Sequence, residues 1–401
     1  MTSYNIHQQV FSLNTASNMT RCCHDTQGAL QSKMDQALQP ALDKLKIGPW
    51  KVVWGPTVWK LKPEDNTASY DHSWFVAHNG VADWGNRNLC DTYVVSIAGT
   101  ADHSLLDAIE DVCVKDVVDF AAFTSLGASS PPVPTAHEAI DPRKAYIASG
   151  TADGVYRILN IASAGQGTTL AEFLGNISAT ASTRIVFTGH SLGGALSPTV
   201  ALTALKSGML SSVPQGNTFA YPTAGPSPGN GPFASLFAES LPLIKSDSGT
   251  TDDPNAAAYQ VWNANIWNEY DIVPHAWNTG SLSGQNLWDI LTIYGELPPA
   301  LLREVAAVIA RVTCFLQPPP GIDYVPIQGS RLLPATPPTP QSWRELLHDV
   351  ASPQHGEPYK NIVGVPTAPL LCQCGSSPSE VSPILKVIDD ARKKLEENRG
   401  N

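Results

Sequence analysis

Residues 184–188 (Arg184, Ile185, Val186, Phe187, Thr188) are β-branched or aromatic after the first position, which predicts a short buried strand. Residues 194–205 follow with small side chains first and aliphatic ones later, which predicts a helix directly behind that strand. Pro198 falls inside it and should bend it, because proline lacks the N–H and its ring crowds the preceding turn. Upstream, Leu30, Met34, Leu38, Leu42 and Leu45 lie on one stripe of a helix over residues 26–46. Residues 51–60 and 73–78 read as strands with interspersed tryptophans, residues 152–161 and 168–174 as helices, and residues 258–267 as a further strand. Leu301, Leu302, Val305, Val308, Ile309, Val312 and Phe315 keep helical spacing. The proline-rich run behind them, through residue 340, is expected to be extended and without regular secondary structure.

Between the buried strand and its helix stands Gly189-His190-Ser191-Leu192-Gly193. A Gly-x-Ser-x-Gly turn in that setting is a nucleophile elbow, in which a strained serine sits at the mouth of a helix whose N–H groups favour an oxyanion. Ser191 is therefore the candidate nucleophile. A serine needs a base, and the base needs an acid to orient it. In open α/β hydrolases these follow in the order serine, acid, histidine. Asp271 lies just beyond the expected strand over 258–267, at the sheet edge where active sites of α/β proteins assemble. Three histidines follow it. His275 is on the same loop and is expected to line the pocket or support Asp271. His348 sits in a short helical stretch. His355 lies in a polar loop rich in proline and glycine, and that setting ranks it first as the general base.

These pieces resemble the class 3 lipases, typified by filamentous-fungal triacylglycerol lipases. The resemblance is carried by residues 188–195 around Ser191, by residues 271–275, and by Gly225, Pro226, Gly229 and Asn230 in the loop after the next strand. Residues 93–100, which end in Gly99-Thr100, and Gln354-His355 with Tyr359 complete it. It implies an α/β-hydrolase with a mostly parallel central sheet flanked by helices. It implies Ser191 as nucleophile, His355 as general base and acid, and Asp271 as its orienter. The backbone N–H groups of Leu192 and Thr100, with the Thr100 hydroxyl, form the implied oxyanion hole. The segment directly after Thr100 is where the family carries a mobile lid. Leu105, Ile109 and Val112 share one face there, which fits either a lid or a fixed surface helix.

The expected organisation is a single catalytic domain over residues 1–375, with a helical extension at 1–46, a candidate lid or cap at 101–145 and a helical, proline-rich insertion at 298–340. That insertion, between acid and base, is expected to wall the acyl site or to form a dimer surface. A C-terminal helix over 376–401 is expected to dock on the body.

Composition narrows the function. The chain has 401 residues, 42% of them apolar, enough for a sizeable core. Its net charge of −11 argues against nucleic acid and against strong docking on anionic lipid, and is compatible with neutral esters. No apolar run reaches the roughly 18–20 residues of a membrane span. The first residues lack a basic start and an apolar stretch, so a cytoplasmic location is expected, or a secreted one if a leader precedes this sequence. Seven cysteines cannot all pair with one another, and reduced thiols are the expectation. No metal and no cofactor is implied. The expected activity is hydrolysis of carboxylic esters of neutral lipids through an acyl-enzyme on Ser191, with transient contact to a lipid interface. The alternatives are a feruloyl-type esterase, a phospholipase A1, or a catalytically silent lipase-like binding protein.

Overall fold

A computed structural model describes residues 4–101, 114–246, 253–278, 285–315, 317–374 and 393. Seven strands form the central sheet: β1 (Lys51–Trp59), β2 (His72–Asp83), β3 (Leu89–Ile97), β4 (Thr183–His190), β5 (Thr218–Thr223), β6 (Asn265–Asn268) and β7 (Gly329–Leu332). They lie side by side in chain order. β2 pairs antiparallel with β1 and β3, and every pairing from β3 to β7 is parallel. The apolar runs of the middle strands are buried on both faces. Val94, Val186 and Tyr221 face one core, and Val95, Phe187 and Ala220 face the other. Helices α1 (Ile6–Ala16) and α2 (Gln27–Leu45) cover the first face. Helices α3 (Ser149–Asn160) and α4 (Leu192–Lys206) cover the second. This is the α/β-hydrolase arrangement.

The stripe predicted on residues 26–46 is buried from Leu30 to Leu45 along α2. By contrast, α1 carries no such pattern. Its Asn5 cap and Gln8 bond reciprocally to each other's backbone N–H, and its buried face mixes Ile6, Val10 and Leu13 with His7, Ser12 and Asn14. Two further expectations need correcting. Residues 258–267 are not one strand: helix Pro254–Tyr259 runs into them, and Asn263 (φ +63°) separates the short strand Val261–Trp262 from β6. The proline-rich run is not free of regular structure, because Gly329–Leu332 lies between its prolines and adds β7 to the sheet edge.

Helix α5 (Pro299–Phe315) buries Val305, Val308 and Ile309 with Ile272, Val273 and Leu346 in a separate core behind the loop that carries Asp271. The insertion therefore braces that loop. Within the candidate lid or cap at 101–145, residues 102–113 lie outside the described residues. Strand Val117–Asp119 joins a small antiparallel sheet with Tyr146–Ala148, Gly229–Asn230 and Tyr324–Val325. The C-terminal helix over 376–401 also lies outside the described residues, apart from Lys393.

The expectation of reduced thiols is overturned. Cys22 bonds to Cys374 and Cys23 to Cys372, with Cα–Cα separations of 4.9 and 5.1 Å. Spacing could not reveal this, since the partners are 352 and 349 residues apart in the chain. Cys90 and Cys314 are free thiols. Closing so long a loop restricts the unfolded chain strongly. Reduction of both bonds is therefore expected to lower unfolding free energy by about 3–5 kcal/mol, most of it lost only when the second bond breaks, because either one alone keeps the loop closed. Urea unfolding with and without dithiothreitol checks this, and equal midpoints would contradict it.

Two buried histidines set an acid limit on the fold. His7 Nε2 and His72 Nδ1 have no hydrogen-bond partner among the described residues. Burial holds each from its ordinary 6.5 down to about 3, with the charge of Arg157 adding to the effect at His72. Unfolded, both take up protons as pH falls through 6.5, while folded they stay neutral until about 3. Stability is thus complete above pH 6.5 and falls below it, by up to about 1.4 kcal/mol per pH unit for each histidine. Urea midpoints at pH 7, 6 and 5 should decline in that order.

Candidate active site

The elbow is built by close backbone approach. Ser191 caps α4 at φ +61° and ψ −125°, a region costly for any residue with a side chain. Its N–H bonds to the Thr223 carbonyl at 3.1 Å and its carbonyl accepts from Gly194 at 2.8 Å, and together they hold the strained turn. A Cβ on Gly189 would sit 2.2 Å from the Gly193 carbonyl oxygen, and one on Gly193 would sit 2.5 Å from that of Ile97. Both glycines are there for space. Helix α4 runs unbroken through Pro198.

Asp271 follows β6 and opens the tight turn Val273–His275; it is wholly buried. Its Oδ1 accepts the Val273 N–H at 3.0 Å. Its Oδ2 accepts the Tyr359 hydroxyl at 2.7 Å. His355 Nδ1 lies 2.9 Å from Oδ2 and 3.1 Å from Oδ1. An ionised carboxylate only accepts, so the proton of neutral His355 sits on Nδ1 and the Nε2 lone pair is left for another group. Burial and the Asp271 carboxylate hold the Tyr359 hydroxyl well above the usual phenol range, so it remains a donor.

Ser191, His355 and Thr100 line one cavity of about 320 Å³. The Thr100 hydroxyl is buried and has no partner among the described residues. The Gly99 N–H before it donates to Asn18 Oδ1 at 3.0 Å, which ties the end of β3 to the turn after α1. Leu192 is the first residue of α4, so its N–H has no acceptor within the helix. The structure thus brings Ser191, His355 and Thr100 to one cavity, with Asp271 buried against the imidazole of His355.

The other two histidines are elsewhere. His348 lies on the π-helical turn Glu345–Ala351 and does not reach the cavity. His275, expected to line the pocket or support Asp271, does neither. Its Nδ1 pairs with Asp289 Oδ2 at 3.2 Å, and its ring meets Trp267 edge-on.

Sequence reasoning missed two supporting residues. His190 bridges the elbow to the histidine loop: its Nε2 donates to the His355 carbonyl at 2.8 Å and its Nδ1 accepts from Thr223 Oγ1 at 2.9 Å. That assignment needs a neutral ring, and burial with neighbouring His355 holds His190 well below the usual histidine range. In the sequence Tyr359 stands out only as a neighbour of His355. Its hydroxyl donates to Asp271 and accepts the Asn268 N–H at 2.9 Å. Tyr359→Phe should leave that buried N–H without an acceptor and cost about 1–3 kcal/mol of stability. It also removes one of the bonds that fix the Asp271 carboxylate against His355, so about a three- to thirtyfold loss of kcat/KM is expected. A parent-like kcat/KM would contradict the role given to this hydroxyl.

Among the described residues no group of His, Cys, Asp and Glu is arranged to hold a metal ion, and no helix is long and apolar enough to cross a membrane.

Residues 123–280 match the family described as Lipase (class 3). That span includes Ser191 and Asp271 but neither Thr100 nor His355. Among solved structures the chain is similar to M37 lipase, at 22% identity and a TM-score of 0.62, over 98% of this chain and 100% of that one. This likeness shows a shared fold along the chain. Matches also include the Rhizomucor miehei triacylglyceride lipase, at 17% identity, a TM-score of 0.35 and coverage of 67% and 72%. The lipase from Rhizopus microsporus var. chinensis matches at 15% identity, a TM-score of 0.38 and coverage of 67% and 68%. No curated protein matches the chain.

Proposed function

We propose, from the match of residues 123–280 to the class 3 lipase family, that the protein hydrolyses carboxylic esters through an acyl-enzyme on Ser191. The single observation that carries this reading is the convergence of the elbow serine and an aspartate-bound histidine on one cavity. In the proposed cycle His355 Nε2 takes the Ser191 proton as Oγ attacks the ester carbonyl. The oxyanion is held by the N–H groups of Leu192 and Thr100 and by the free Thr100 hydroxyl. Each such donor is worth about 3 kcal/mol of transition-state stabilisation. His355 then protonates the leaving alcohol, and water activated by the same imidazole releases the acid. Asp271 keeps the imidazole in the required tautomer and balances its charge.

An ester of a lipid is the favoured substrate on family grounds, and a feruloyl-type esterase is the second reading. A silent binding protein is disfavoured, since Ser191 and His355 line one cavity and Asp271 binds the imidazole of His355. The two disulfides favour an oxidising compartment over the cytoplasm expected from the sequence. A chain-length series of p-nitrophenyl esters tests the proposal, run on the parent, His355→Ala and His348→Ala. Turnover by the parent and His348→Ala but not His355→Ala supports it. Turnover by His355→Ala alone of the two variants would overturn the assignment of the base.

A further inference from the structure

The charge of this cavity has the opposite sign to that of the whole chain. Arg21 and Lys360 both line it, together with Ser191 and His355. Arg21 follows α1 and precedes the paired cysteines, and Lys360 lies on helix α6 (Glu357–Val363), immediately after the loop bearing His355. Neither makes an ion pair among the described residues. The Arg21 Nε–H is out of reach of solvent and has no acceptor there. A buried donor on a cation is costly to leave unmet, and such groups in native proteins ordinarily have a partner. Glu357 also lines the cavity, but it stands exposed at the rim, beyond ion-pair distance from Lys360.

Arg21 is half-buried on a fixed peptide, whereas Lys360 is an exposed side chain on its helix. The Cys22–Cys374 and Cys23–Cys372 bonds tie the peptide after Arg21 to the segment whose Thr367, Ala368 and Leu370 also line the cavity. Lys360 is held below the usual lysine range by burial and by the Arg21 charge, as expected for two cations facing one space. Both charges bear on His190, whose ring bonds the carbonyl of His355, the group that hands its proton to the leaving alcohol.

We propose that Arg21 and Lys360 form an anion subsite for the alcohol portion of the substrate, which is therefore a carboxylic ester whose alcohol carries a phosphate or carboxylate. The inference rests on the hydrolase reading and adds a substrate class to it. Arg21 supplies a planar fork of donors suited to an oxyanion, and Lys360 a second, mobile point charge. The long-range field of a chain with net charge −11 slows the approach of such a substrate, but the local contacts decide its binding.

The test compares kcat/KM for three soluble esters: glycerol monobutyrate, its phosphate counterpart monobutyryl glycerol phosphate, and the butyryl ester of glyceric acid. A preference of about tenfold or more for an anionic ester over the neutral one is expected, the size of one charge-assisted contact. Which anionic ester shows it identifies phosphate or carboxylate, and vesicles of phosphatidic acid tell a membrane headgroup from a soluble one. Arg21→Gln and Lys360→Gln should each reduce that preference about tenfold, mainly through KM, with partial recovery in Arg21→Lys. The preference of the unaltered protein should also shrink in high salt, which needs no variant to fold. Equal kcat/KM for all three esters overturns the subsite while leaving the hydrolase reading intact. Failure to hydrolyse any of them overturns both.

Discussion

Ser191→Ala is expected to lower kcat by about 10⁶-fold, the scale of loss when a serine nucleophile working with its base is removed. The fold should survive. Ser191 is almost fully buried, and the hydroxyl is not among the groups that hold the turn, which are its own backbone N–H and carbonyl bonded to Thr223 and Gly194. Alanine pays the same backbone cost at φ +61° that serine pays, so the urea midpoint should stay near that of the parent. Ser191→Gly sharpens the prediction, because glycine adopts that conformation freely. It should be equally inactive yet more stable, by about 0.5–1 kcal/mol. A stable Ser191→Ala that retains a tenth of parental kcat would mean that the chemistry belongs to another group.

Asp271→Asn is the second large effect, with an expected loss of about 10⁴-fold in kcat. The carboxylate accepts from Val273, Tyr359 and His355 with no access to water. An amide replaces one acceptor oxygen by a two-hydrogen donor, which cannot face both a hydroxyl donor and a protonated Nδ1. His355 then adopts the tautomer with its proton on Nε2 and can no longer take one from Ser191. Asp289→Asn is the matched control. It too removes the carboxylate beside a histidine, His275, but away from the cavity. Its activity is expected to stay within about threefold of the parent. Similar losses in both variants would show that the first acts through general destabilisation.

The parts of this molecule that were legible in the sequence are those written locally. The elbow is five contiguous residues between a strand and a helix, and the α2 stripe is one amphipathic surface. Thr100, Asp271 and His355 were readable because chain order and short motifs surround each. What escaped was non-local or mixed in polarity. The face of α1 buries Asn14 and Ser12 beside Ile6 and Val10, so it has no clean apolar period. β7 is four residues with one fully buried side chain, and only its parallel partner β6 makes it a strand. The disulfides join residues about 350 positions apart, beyond the reach of any spacing rule. Tyr359 and His190 each bond to a group far along the chain, 88 and 165 residues away, which no local pattern encodes. The cationic lining of the cavity was hidden by an acidic total, since a net charge carries no information about where its signs lie.

The central claim is that Ser191 becomes acylated by a mechanism that depends on His355. Rapid quenching of the protein during turnover of p-nitrophenyl butyrate, followed by peptide mass mapping, measures this directly. The account predicts one butyryl group on the peptide containing Ser191, and none there in His355→Ala. A butyryl group on a different residue, or undiminished acylation of Ser191 without His355, would contradict it.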